Sequence, residues 1–86
     1  MGKKHQAVFE AINSKPDRSD IDWDDFINLL IYLDAKLKYK GGSAVGVRLN
    51  GFYAVFHQPH PGHEIYPTDL KRIRRFLQDA GIRQVE

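Results

Sequence analysis

The sequence contains no cysteine and no long apolar run, and each absence excludes a class of protein. Without cysteine, neither a disulfide framework nor a thiolate metal cage can form. No run approaches the roughly 20 apolar residues of a membrane-spanning helix, and no signal-peptide pattern opens the chain. The 86 residues, 42% of them hydrophobic, are therefore expected to form one small packed domain in the reducing cytoplasm.

Acidic residues are scarce in the second part of the chain. Residues 1–35 carry four Lys or Arg and seven Asp or Glu, a net charge of −3, whereas residues 36–86 carry nine and four, a net charge of +5. The second part could therefore face phosphate groups, while the first would not. Ordinary solvated surface charge explains the same pattern, so charge alone leaves both interpretations open.

Two stretches in the first half of the chain have apolar residues at helical spacing. The first covers residues 4–13, and the second begins at Asp22, which can act as the N-cap. Ile21 before the cap and Phe26 at the fourth helical position have the spacing of a hydrophobic staple. The second helix is expected to run to about Lys36.

The last apolar stripe at helical spacing lies in a basic segment. This helix should begin near Pro67 or Thr68, since proline suits the first helical position and threonine can cap it. Gly81 should end the helix as the glycine that follows the C-cap. Residues 83–85 are a candidate for a last short strand.

A β-hairpin is predicted by Asn50-Gly51 between two β-rich runs, residues 43–49 and 52–57. A two-residue type I′ turn needs positive φ at both positions, which asparagine and glycine tolerate. Residues 37–40 are predicted to form a shorter strand, and Gly41-Gly42 the turn that follows it.

The hairpin determines which residues share a face of the sheet. Leu49 pairs with Phe52 beside the turn, and Ala44 pairs with His57 at the other end. The apolar face, expected to form the core, consists of Val45, Val47, Leu49, Phe52, Ala54 and Phe56. The opposite face, expected to be open to solvent or a partner, consists of Ala44, Gly46, Arg48, Tyr53, Val55 and His57.

The order of helix, helix, three antiparallel strands and helix predicts an α+β fold. Its two layers would be a three-stranded antiparallel sheet and helices packed on one face of it. We divide the chain into an N-terminal helical extension, residues 1–20, and a domain formed by residues 21–86.

Three short motifs, in this order and spacing, suggest a family. Gly42-Ser43 ends the turn into the second strand, residues 57–61 read His-Gln-Pro-His-Pro, and residues 70–82 form the basic, apolar-striped last helix. With these motifs, the region from about residue 21 to 82 resembles the HicA family of toxins. The resemblance implies an α-β-β-β-α fold like the double-stranded-RNA-binding domain. It also implies cleavage of mRNA without a metal or other cofactor, and neutralisation by a HicB-like antitoxin.

Many HicA proteins carry a catalytic histidine directly after the Gly-Ser turn, and some relatives place a basic residue there. The matching position in this chain is Ala44. Three interpretations are open: the site uses other residues, Ala44 is an inactivating substitution in a lethal enzyme, or the chain binds RNA without cutting it. Our working hypothesis is the inactivating substitution. A protein-interaction module of the same fold is a further alternative.

Metal-free RNA cleavage needs a base for the 2′-hydroxyl proton, an acid for the leaving oxygen, and cations for the phosphate charge. His57 is a candidate for acid/base chemistry, because the pairing places its Cβ about 5 Å from that of residue 44. It could instead cap a backbone group. His60 could complete the site or simply hold its loop. His57, His60 and His63 recur every third residue and could bind zinc, but no acidic residues that would orient the imidazoles are evident, and we assign no metal.

Four cations crowd the last helix, namely Lys71, Arg72, Arg74 and Arg75. They could contact RNA phosphates, dock an acidic antitoxin surface, or be an ordinary solvated face. Arg48 and Tyr53, on the outward sheet face, could hold phosphate or stack a base. The predicted RNA-contacting residues are Ser43, Arg48, Tyr53, Lys71, Arg74 and Arg75.

Overall fold

The computed structural model describes residues 3–85, which form three helices and one antiparallel sheet of strand order β1-β2-β3. The elements in chain order are α1 Lys3–Ile12, α2 Trp23–Tyr32, β1 Lys36–Tyr39, β2 Ala44–Leu49, β3 Phe52–His57 and α3 Pro67–Asp79. The predicted α+β architecture, with an extra N-terminal helix, is confirmed. None of the helices in this range is long and apolar enough to cross a membrane.

The predicted hairpin and its register are confirmed. Asn50 and Gly51 have φ values of 52° and 87°, as a type I′ turn requires. β2 and β3 pair from Leu49 with Phe52 to Ala44 with His57. The Asn50 side-chain amide also donates a hydrogen bond to the carbonyl of Ala80, at 2.8 Å. This bond ties the turn to the end of α3.

Phe56 of β3 contacts both α2 and α3. Its ring makes edge contacts with Phe26 of α2 and Phe76 of α3, at centroid distances of 5.7 and 5.6 Å. Most of the predicted core face is buried or half-buried. Phe52 is the exception, and its assignment to the core is wrong, because its side chain is 46% exposed. Phe52 begins the edge strand beside the turn, where neighbours are missing on one side.

The second helix ends earlier than predicted, at Tyr32 rather than near Lys36. Asp34 takes a left-handed conformation with φ 68°, and its N–H donates to Ile31. The Ala35 N–H donates to Leu30, which completes a Schellman motif. Helical periodicity does not reveal this end, because the left-handed position carries aspartate instead of glycine. Asp22 does occupy the N-cap position, but its side chain makes no capping hydrogen bond.

Replacing Asp34 with glycine should stabilise the protein by about 0.5–1 kcal/mol, since glycine adopts positive φ without steric cost. The melting temperature should rise by a few degrees. Asp24→Gly is the matched control: Asp24 lies in the first turn of α2, where glycine lowers helix propensity, so this variant should melt earlier. Equal melting of parent and Asp34→Gly would contradict the assigned cap.

The last helix ends as predicted. Gly81 has φ 81°, its N–H donates to Gln78, and the Ile82 N–H donates to Leu77 at 2.9 Å. The strand suggested for residues 83–85 is not formed. Val85 is buried in the core from an irregular segment instead, so its apolar character serves packing rather than pairing.

The N-terminal segment shares the core of the rest of the chain. α1 buries Val8 and Ile12 and packs against α2 and α3. Asp17, in the loop after α1, forms a 2.6 Å ion pair with Arg74 of α3. The division of the chain at residue 20 stays a prediction.

Candidate active site and RNA-facing surface

The outward face of the sheet extends over all three strands. β1 pairs Lys36 with Arg48 and Lys38 with Gly46, which places both lysines on the face opposite the helices. The face consists of Lys36, Lys38, Ala44, Gly46, Arg48, Tyr53, Val55 and His57. Since the three strands contain no Asp or Glu, their charged side chains on this face are all basic.

Ala44 and His57 lie directly opposite each other at one end of the hairpin. The Gln58 N–H donates to the Ser43 carbonyl at 2.9 Å, which makes the next pair along the ladder a hydrogen-bonded one. The 44–57 pair is therefore of the non-hydrogen-bonded kind, with Cβ atoms about 4.5–5.5 Å apart. Ala44 is half-buried and His57 exposed. A side chain at position 44 and the imidazole are thus close neighbours at the surface.

A cavity of about 420 Å³ lies beside this pair, lined by Gly42, Ser43, Gln58, Pro59 and His60. Pro59 is buried, which anchors the loop, while the His60 side chain is exposed. The fold therefore brings Ser43 and His60 to one cavity. Residue 44 follows Ser43 and His57 precedes Gln58, so both lie next to residues that line the cavity.

His63 does not line this cavity. Its carbonyl accepts a 2.7 Å hydrogen bond from the Trp23 N–H, and the backbone of Glu64 forms an isolated antiparallel β-bridge with that of Asp22. The segment around His63 is thus tied to the start of α2. Within residues 3–85, no group of three or more histidines and carboxylates is arranged to hold a metal ion. The three-imidazole zinc arrangement is not formed there.

Tyr53 covers Gly46 on the outward face. A Cβ placed on Gly46 would lie only 2.6 Å from the Tyr53 hydroxyl oxygen. The absence of a side chain at position 46 therefore leaves room for the ring. The Arg48 guanidinium carbon lies 5.4 Å from the ring centroid, within cation–π range. Arg48 and Tyr53 thus form one aromatic–guanidinium surface, in which the tyrosine is 49% exposed.

Arg74 is turned toward the interior, unlike the other cations of α3. Its side chain is 9% exposed, and its Nη2 donates to the Asp17 carboxylate at 2.6 Å. Leu70 and Leu77, four residues before and three after, are buried, so Arg74 lies on the apolar stripe of the helix. That spacing could have identified it from the sequence. We therefore remove Arg74 from the residues predicted to contact RNA, because its guanidinium joins α3 to the loop after α1.

The remaining α3 cations are exposed. Arg72 donates to the Val55 carbonyl at 2.9 Å and lies over the Phe56 ring. Arg75 lies 3.6 Å from Asp79, while Lys71 forms no ion pair with any described residue. Lys71 and Arg75 share a cleft of about 400 Å³ with Tyr53, which connects the helix to the outward sheet face.

Comparison with known families decides the affiliation. The family described as HicA toxin of bacterial toxin–antitoxin systems matches residues 23–82. This chain belongs to the HicA toxin family. No curated protein and no solved structure was found to match it. The matched region starts with α2 and ends just after α3, so α1 lies outside it. Membership supports a toxin role and implies an antitoxin partner.

Two outward-facing lysines of this HicA domain were missed by sequence reasoning. Helical periodicity places Lys36 at the end of α2, and no motif of the sequence marks Lys38 as functional. The alternation Lys36, Leu37, Lys38 could have indicated them, because residues two apart in a strand share a face. The role of Gly46 had no sequence signal, since it depends on where the Tyr53 ring lies.

Proposed function

We propose that this HicA family toxin acts in the cytoplasm as a metal-independent endoribonuclease on mRNA and is neutralised by a HicB-like antitoxin. The observation that carries the proposal is the His57 imidazole opposite position 44 on an outward, basic sheet face. Ala44 leaves the acid/base set one group short, because a methyl group transfers no proton. This chain is therefore the silent or strongly impaired form of such an enzyme.

The reaction that fits these groups is transesterification within RNA. A base removes the 2′-hydroxyl proton while the 2′-oxygen bonds to the adjacent phosphorus. The phosphorus–5′-oxygen bond breaks, and an acid protonates the leaving oxygen. We assign one proton transfer to His57 and the other to the residue at position 44. We assign an assisting role to His60, which lines the neighbouring cavity.

Binding of the reacting phosphate requires cations, and binding of the flanking nucleotides requires planar groups that contact their bases. Arg48 can form charge-assisted hydrogen bonds to phosphate, and Tyr53 beside it can contact a base. Ser43 lies at the cavity that we assign to the reacting phosphate. Lys71 and Arg75 extend the positive surface through the cleft that they share with Tyr53.

Purified Ala44→His protein should cut RNA in the presence of a chelator and leave 2′,3′-cyclic phosphate ends. The rate should be the same with and without added divalent cations, because two imidazoles supply the proton transfers. The measurement is product length and end chemistry after incubation with RNA. Cleavage that stops on chelation would contradict the metal-independent mechanism.

A second candidate is an RNA-binding module without catalysis, which the methyl group of Ala44 favours. It predicts salt-sensitive RNA binding and no cleavage for any residue at position 44.

A further inference from the structure

The Arg48–Tyr53 pair is an aromatic surface built on an open sheet face. The ring tip of Tyr53 occupies the space that a side chain at Gly46 would need, and about half of the tyrosine stays exposed. Gly46 has ordinary strand geometry, so what its position requires is space rather than an unusual φ. Exposed rings and guanidinium planes of this kind accept nucleobases by stacking.

The cations around the Arg48–Tyr53 pair are available to bind phosphates. Lys36 lies opposite Arg48 in the register, and Lys38 lies opposite Gly46, so all three positive charges surround the covered glycine. Among residues 3–85, none of the three cations forms an ion pair. The outward face thus combines uncompensated positive charge with a planar surface.

The alternative path for a nucleic acid, along α3, offers fewer available charges. Arg74 is buried in its pair with Asp17, and Arg72 is bonded to the backbone of β3. Arg75 lies near Asp79, which partly offsets its charge. The sheet face is therefore the better continuous path.

We propose that the outward sheet face binds unpaired RNA, with Arg48 and Tyr53 as a base-stacking subsite and Lys36 and Lys38 as phosphate contacts. The inference rests on the proposed function and adds the conformation and path of the substrate. A base must leave its duplex to stack on a side chain, so this subsite selects single strands. Tyr53 lies four residues from His57 along β3, about 13 Å, which leaves room for a few nucleotides before the reacting phosphate.

The proposal is tested on the Ala44 parent chain by fluorescence anisotropy. The measurement compares the affinity for a labelled unstructured RNA with the affinity for the same RNA annealed to its complement. The unpaired RNA should bind more tightly than the duplex. Tyr53→Leu should weaken binding of the unpaired RNA about tenfold, while Tyr53→Phe, which keeps the ring, should bind like the parent. Tyr39→Leu is the matched control, because Tyr39 is an exposed strand tyrosine on the other face.

A double charge reversal tests the phosphate contacts independently of the ring. Lys36→Glu with Lys38→Glu should weaken binding and lower the slope of log affinity against log salt by about two. Lys3→Glu with Lys15→Glu, in α1 and the loop after it, provides the control for an equal change in net charge. Melting curves of each variant confirm that it is folded.

The outcomes separate this inference from the proposed enzyme. Equal affinity for unpaired and duplex RNA, or parent-like binding by both Tyr53→Leu and the lysine double variant, overturns the stacking face. Cleavage by Ala44→His could still stand in that case. Conversely, Tyr53-dependent binding without cleavage for any residue at 44 supports the stacking face and rejects the enzyme.

Discussion

Expression of the Ala44→His variant should arrest bacterial growth, whereas expression of the parent chain should be tolerated. Placing an imidazole opposite His57 supplies the second group for proton transfer, at a Cβ distance of about 5 Å. A positioned acid or base contributes roughly 10²–10⁴ to a rate. The cleavage rate of purified protein should rise by that factor over the parent. Ala44→Arg tests whether a cation, rather than an acid or base, is sufficient.

His57→Ala in the Ala44→His background should abolish the arrest and return cleavage to the parent level. His63→Ala is the matched control, because that imidazole belongs to a segment tied to α2 and does not line the cavity. Coexpression of a HicB-like antitoxin should restore growth. Normal growth with histidine or arginine at position 44, at equal protein levels, would count against catalysis at this site.

Asp17→Ala should lower the free energy of unfolding by about 3 kcal/mol, at the low end for breaking a buried ion pair. The reason is that the Arg74 guanidinium, almost fully buried, would lose its carboxylate partner. A second hydrogen bond of this guanidinium, from Nε to the Leu70 carbonyl, is long at 3.4 Å. Asp17 is partly exposed, which argues against a larger effect. In a domain of this size the melting temperature should fall by more than about 10 °C.

Asp20→Ala is the matched control for that prediction. The hydrogen bond from Arg18 lowers the pKa of the Asp20 carboxyl, but the pair lies at the exposed surface and should contribute little to stability. The double variant Asp17→Ala, Arg74→Met should recover most of the lost stability, because it removes the buried charge together with its partner. Equal melting of Asp17→Ala and Asp20→Ala would show that the buried pair does not hold α3.

The sequence was sufficient to predict the parts of the fold whose turns and helix ends carry residues with a clear backbone preference. Asn50-Gly51 tolerates the positive φ of a type I′ turn, and this turn determined the register that brings Ala44 opposite His57. Gly81 marked the end of α3 for the same reason. The outward face followed from strand alternation, and the family from short motifs at consistent spacing.

Tertiary structure decided what depends on residues distant in the chain. The end of α2 is a local exception: Asp34 takes a left-handed conformation that its residue type does not require, its cap hydrogen bonds go to Leu30 and Ile31, and β1 starts earlier than predicted. Helical spacing places Arg74 on the apolar stripe of α3, but only the packing of the loop after α1 makes Asp17, 57 residues away, its counter-charge. Gly46 is covered because the Tyr53 ring crosses to the neighbouring strand. Sequence patterns encode periodicity and backbone preference over a few residues. The partner of a buried charge and the neighbour above a glycine are determined only when separate segments pack together.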